Sequence, residues 1–156
     1  HCVQGSDGAA FHPGLRIDGD LILRKGFRSA IDSYSAFFEN DRTTATGLGG
    51  YARERGFRRV VTCGLALDVC VAFSSLDARR LGLDVVLVTD ACRAIDPDGN
   101  ARTMLRDMQD AGIIVTDTSA LHIGSHRPPR LGAAVGTCLD APCARRPRHR
   151  DGCGGH

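Results

Sequence analysis

Three times along the chain a helical stretch, a single glycine and a β-branched run follow one another. The sets are Tyr51–Arg55, Gly56, Arg59–Cys63; then Ser74–Leu81, Gly82, Asp84–Thr89; then Thr103–Ala111, Gly112, Ile113–Thr116. This repetition constrains the fold more than any other feature. A glycine after a helix supplies the left-handed residue that closes it, and β-branched side chains favour the strand that follows. The glycines lie 26 and 30 residues apart, the length of one βαβ unit. Val85-Val86-Leu87-Val88 and Ile113-Ile114-Val115 are apolar without alternation, as in strands buried on both faces of a parallel sheet. Leu21-Ile22-Leu23 reads as a further, shorter strand that ends at Lys25. The expectation is an α/β fold, a three-layer Rossmann-like parallel sheet with flanking helices. Lys25, Cys70 and Asp90 then fall at carboxyl ends of strands, where open α/β sheets place their sites.

That pattern fills residues 1–121, read as one domain, and stops near His122. Residues 122–156 hold Pro128-Pro129, Pro142, Pro147, an arginine cluster from Arg145 to Arg150 and several glycines, with neither helical nor strand periodicity. They read as a disordered tail. Cys138, Cys143, Cys153, His149 and His156 form no C-x-x-C pair and fit no common zinc spacing. Charge divides at the same place. Residues 1–121 carry 14 Lys+Arg against 16 Asp+Glu, whereas the tail carries six arginines against Asp140 and Asp151. The net charge of +2 therefore sits in the tail, and a mildly acidic body argues against a nucleic-acid partner. No stretch approaches the roughly 20 apolar residues that span a bilayer, which argues against a membrane partner. The seven cysteines make no recognisable disulfide framework, as in a reduced cytoplasmic enzyme.

The chemistry concentrates in Val60-Val61-Thr62-Cys63-Gly64-Leu65-Ala66-Leu67-Asp68-Val69-Cys70-Val71. A β-branched run ends in Gly-Leu-Ala, and a helical pattern begins immediately after a cysteine. Cys70 then stands at the carboxyl end of a buried strand and in the first turn of a helix. Backbone N–H groups and the positive end of the helix dipole favour its thiolate, which makes it a candidate nucleophile. Burial as a small apolar residue is the competing reading of any free cysteine. Asp68 reads as a cap for that helix rather than a catalytic group.

Four segments tip the balance. Lys25-Gly26 followed by Asp32-Ser33-Tyr34-Ser35-Ala36-Phe37-Phe38-Glu39-Asn40-Asp41 resembles the lysine segment of the nicotinamidases, or pyrazinamidases, of the isochorismatase-like cysteine hydrolase superfamily. His1-Cys2-Val3-Gln4-Gly5 with Phe11-His12-Pro13 resembles their metal-ligand segment, and Gly64 to Val71 their nucleophile segment. Asp90-Ala91-Cys92-Arg93-Ala94-Ile95-Asp96 resembles a later loop of theirs. The four occur in the family's order over residues 1–120.

The resemblance implies hydrolysis of nicotinamide, and of pyrazinamide, through a cysteine thioester in salvage of the pyridine cofactor. It makes Cys70 the nucleophile and Lys25 the cation beside it. It makes the backbone N–H groups of Ala66 and Cys70 the oxyanion hole, with a cis Leu65–Ala66 bond. It places Tyr34 against the substrate ring and His1 among the ligands of a divalent metal, iron, zinc or manganese; His12 it leaves structural. The family's catalytic aspartate and remaining ligands lie on a first strand and loop that precede His1, so the chain reads as an amino-terminally truncated fragment with its first strand and helix missing and its activity impaired. The alternatives are another amidohydrolase of the superfamily and a non-catalytic remnant. A homo-oligomer stays open.

Overall fold

The protein is described by a computed structural model over residues 3–16 and 21–121. His1 and the 122–156 tail lie outside the described residues. Helix α1 (Leu48–Glu54) leads to strand β1 (Arg59–Leu65), a single π turn (Leu67–Val71) and helix α2 (Ala72–Arg80). Strand β2 (Asp84–Arg93), helix α3 (Asn100–Asp110) and strand β3 (Ile114–Thr116) complete the order. The strands form one parallel sheet in the order β1-β2-β3, flanked by helices as expected. Gly56, Gly82 and Gly112 follow the three helices with φ of 69°, 83° and 79°.

The register aligns Val60 with Val85, then Thr62 with Leu87, and Leu87 in turn with Val115. This row faces the helices. Ala72 and Ala78 of α2, with Ala101 and Met108 of α3, join Val85 and Leu87 in one core. The small side chains let the helices approach the sheet closely, and Leu87 and Met108 fill the space with no exposure. On the other face Val61 and Ile114 flank Val86 in register, 45% and 56% exposed. Strand β1 therefore alternates in exposure along its whole length, whereas Val85 to Val88 are all buried.

Two expectations are corrected here. Leu21–Leu23 is not a strand: Leu21 and Ile22 are 43% and 51% exposed, and the segment joins no ladder among the described residues. An apolar run becomes a strand only where a partner strand satisfies its backbone. Asp90 does not end its strand, because β2 continues to Arg93, pairing Cys92 with Gly64 after an irregularity in the register.

Leu87→Ala should cost about 2–5 kcal/mol through the cavity it leaves. Gly82→Ala should cost about 1–2 kcal/mol, through backbone strain alone. An added Cβ at Gly82 would meet nothing within 4 Å, so no clash contributes. Urea unfolding followed by far-ultraviolet circular dichroism measures both; a neutral Gly82→Ala would show that its left-handed conformation is not needed.

Candidate active site

Cys70 lies on the π turn that joins β1 to α2, half-buried. The turn is seeded by the Ala66 carbonyl, which accepts the N–H of Val69 at 3.2 Å and of Val71 at 3.0 Å. The Leu65–Ala66 peptide bond is cis. Two serines anchor the turn. Ser75 Oγ, fully buried, donates to the Val71 carbonyl at 2.7 Å and shares a 2.8 Å hydrogen bond with Thr62 Oγ1 of β1. Ser74 Oγ donates to the Cys70 carbonyl at 2.6 Å and accepts the Ala36 N–H at 2.8 Å. A helical serine commonly bonds back to the carbonyl four residues earlier; here Ser74 also reaches a distant loop.

That loop brings in the lysine. Lys25 Nζ donates to the Ser33 carbonyl and stands 3.7 Å from Cys70 Sγ. An ammonium at this distance stabilises negative charge on sulfur. Ser33 is buried, and the loop behind it is braced within itself. Asn40 N–H donates to the Asp32 carbonyl at 2.9 Å, Tyr34 N–H to Asn40 Oδ1 at 2.9 Å, and Phe38 bridges Ala45 in antiparallel fashion. The tip is closed by Asp41. Its carboxylate accepts the Thr44 hydroxyl at 2.6 Å and the N–H groups of Thr44 and Thr43 at 2.9 and 3.0 Å. The Thr44 hydroxyl, followed by these N–H groups, holds the Asp41 pKa down at about 2.

Lys25 and Cys70 line one cleft of about 410 Å³ that runs along β1, with Ser74, Phe37, Cys63 and Leu65. Lys25 also lines a second cleft of about 500 Å³ with Gln4, Asp7, Arg24 and Phe27. Arg24 in the lining of this second cleft donates to the Ala9 carbonyl at 2.8 Å and covers the Phe11 ring at 4.7 Å. A third cleft of about 500 Å³, around Arg53 and Arg58 at the start of β1, is lined by neither Lys25 nor Cys70.

Several site candidates fall elsewhere. Tyr34 is 38% exposed and packs its ring on Phe73 at 5.5 Å, not among the residues that line the Cys70 cleft. His12 Nδ1 accepts the Gly14 N–H at 3.1 Å. His1 lies outside the described residues, and among them no three of His, Cys, Asp and Glu come together as a metal site. The described residues therefore do not fit a metal. Asp68 is no cap. Its buried carboxylate takes the N–H groups of Ile95 and Asp96, each at 2.9 Å, and so clamps the 94–96 loop against the turn. Desolvation pushes its pKa up, but these N–H groups and Asn100 outweigh it and leave the carboxyl below its ordinary range.

Sequence reasoning missed Ser74, Ser75 and the Asp68 clamp. The serines had a signal, four residues after Cys70 and four after Val71 on a helix; the clamp had none, since its partners are 27 and 28 residues on.

Residues 1–120 match the isochorismatase domain family. A nicotinamidase of Acinetobacter baylyi is 47% identical over 114 residues, 72% of this chain and 53% of that protein. The chain thus spans about half the length of such relatives. Among solved structures, PnC1 from L. infantum in complex with nicotinate is 43% identical with a TM-score of 0.75, covering 78% of this chain and 61% of that one. A pyrazinamidase of Pyrococcus horikoshii in complex with zinc is 32% identical with a TM-score of 0.64, covering 75% and 61%.

Ser74→Ala should orphan the Ala36 N–H and cost about 1–3 kcal/mol. It should also slow alkylation of Cys70 by iodoacetamide near pH 6.5, by loosening the loop that carries Lys25; an unchanged alkylation rate in folded protein would refute the coupling. The Asp41 turn makes a pH prediction. A carboxyl whose folded pKa is depressed stabilises the fold above its unfolded pKa of about 3.9 and loses that contribution below it. The stability difference between the native chain and Asp41→Asn should therefore be constant above about pH 5 and shrink as pH falls toward about 2. Denaturation at stepped pH measures it.

Proposed function

The chain belongs to the isochorismatase domain family, and we propose that it is the nucleophile-bearing part of a nicotinamidase, an amidohydrolase that converts nicotinamide to nicotinate and ammonia and accepts pyrazinamide. The observation that carries this reading is the Lys25 ammonium 3.7 Å from the Cys70 sulfur, in a cleft, on segments shared with nicotinamidases.

Cys70 Sγ attacks the carboxamide carbon, and the carbonyl π electrons move onto oxygen. The oxyanion is received by the backbone N–H groups of Ala66 and Cys70, donors fixed before the reaction. The carbon–nitrogen bond then breaks, ammonia departs with a proton, and water hydrolyses the thioester to nicotinate. Lys25, 3.7 Å away, stabilises negative charge on the sulfur as it attacks and again as it leaves. The proton for the departing nitrogen needs a general acid. Among the described residues no carboxylate bonds Cys70; the resemblance puts that group, an aspartate, on a strand upstream of His1. The same holds for metal ligation, where His1 would be one ligand of iron, zinc or manganese. Tyr34 is the proposed ring contact, which requires its side chain to turn from Phe73. In this reading the enzyme serves pyridine-cofactor salvage in the cytoplasm, and residues 122–156 are a tail without a catalytic part.

Two measurements test this. Pyridine-3-carbaldehyde, the aldehyde analogue of nicotinamide, should add to Cys70 as a thiohemiacetal visible by ¹³C NMR with a labelled carbonyl, and Cys70→Ala should abolish the signal. Turnover by a polypeptide of residues 1–156 alone should fall about 10²–10⁴-fold or more below that of a full-length nicotinamidase, because no carboxylate among the described residues bonds Cys70 to act as the acid. A thiohemiacetal on another cysteine would overturn the assignment of the nucleophile, and turnover within tenfold of an intact enzyme the assignment of the acid.

A further inference from the structure

Away from Cys70, the braced loop of residues 34–42 closes over a small cavity of about 190 Å³ against α2. Glu39 is 1% exposed and lines this cavity, yet neither of its carboxylate oxygens has a hydrogen-bond partner among the described residues. A buried carboxylate in that state is costly, and native proteins rarely leave one uncompensated. Asp77 lines the same cavity at 8% exposure, but its Oδ1 is paired with Arg80 at 2.8 Å. Arg42 lines the rim without bonding either Glu39 oxygen. One buried carboxyl group therefore has neither a hydrogen-bond nor an ion-pair partner among the described residues, beside a space large enough for a small ion.

The rest of the lining indicates which ion. Tyr34, Phe38 and Phe73 all contribute to the walls. Aromatic faces attract ammonium-type cations. A divalent ion of the calcium type needs six to eight oxygens, more than two carboxylates with one already engaged can offer. The geometry points to a binding site for one monovalent cation of the ammonium class, held by Glu39 with Asp77 in the cavity that the three aromatic residues help to line. The site does not depend on the proposed reaction, although ammonium is what that reaction releases. Occupancy would brace the loop whose Ser33 carbonyl holds Lys25 beside Cys70.

The test uses the whole 156-residue chain at constant ionic strength, with lithium chloride exchanged for ammonium, potassium, calcium or magnesium chloride. Ammonium should raise Tm saturably by roughly 3–6 °C, with potassium weaker. Glu39→Gln, which removes the charge and keeps the shape, should abolish the rise, and Arg42→Ala should preserve it. Should Glu39→Gln not fold, calorimetric titration of the native chain and of Asp77→Asn with ammonium chloride decides, with saturable binding expected only in the native chain. No rise in the native chain, an equal rise in Glu39→Gln, or loss of the rise in Arg42→Ala would overturn the site. A larger rise with calcium or magnesium than with ammonium would overturn its class.

Discussion

The Ser74 hydroxyl joins by hydrogen bonds two parts of the chain that the packing of Phe37 near Val71 and Ala72 already brings together. It donates to the Cys70 carbonyl and accepts from the Ala36 N–H, so one side chain on α2 fixes both the turn that presents sulfur and the loop that presents ammonium. Neither bond is worth more than about 1 kcal/mol net. Their value is geometric: charge stabilisation between an ammonium and a thiolate falls with distance, and the 3.7 Å between Lys25 and Cys70 survives only while turn and loop keep their relative placement. Ser75 repeats the device one residue on, linking the turn to Thr62 of β1. The sheet, the turn and the loop are thus registered to each other by two adjacent hydroxyls.

What was legible in the sequence follows the range of the forces involved. The three helix–glycine–strand joints were readable because helix closure, β-branching and the apolar run of Val85 to Val88 are local properties. Leu21–Leu23 has the same local character and is not a strand, because a ladder partner is not a local property. Asp68 was read as a cap on local grounds, and its real partners, Ile95 and Asp96, lie beyond any local window. Lys25 and Cys70 are 45 residues apart, and no spacing rule joins them; the pairing was legible only through resemblance. Glu39 stands inside the Asp32 to Asp41 segment, yet a carboxylate in that position looks solvated until burial is known.

The two most deeply buried carboxyl groups, Asp68 and Glu39, are treated in opposite ways by the fold. Asp68 is buried but receives backbone N–H donors, so the fold keeps it charged below its ordinary pKa and uses it to tie the 94–96 loop to the nucleophile turn. Glu39 is equally buried and receives none. Identical burial therefore has different consequences: one group is finished by the chain itself, the other is left needing something the chain does not supply.

That contrast bears on how stability is distributed around the site. Cys70 is carried by a turn welded to the core, since Ser75, Ala72 and Val71 are all buried. Lys25 instead hangs from a loop with no regular secondary structure, whose integrity rests on Asp41, Asn40 and the Phe38–Ala45 bridge. Segments of this kind open at lower free energy than core strands and helices. Local opening of the loop would separate the ammonium from the sulfur long before the sheet unfolds, so thiol reactivity should be lost at milder conditions than secondary structure. The cavity under the same loop adds to this asymmetry, because a buried carboxyl group without hydrogen-bond partners lowers the cost of opening the segment above it. The nucleophile is positioned by the fold; its activation is positioned by a loop that the fold only partly secures.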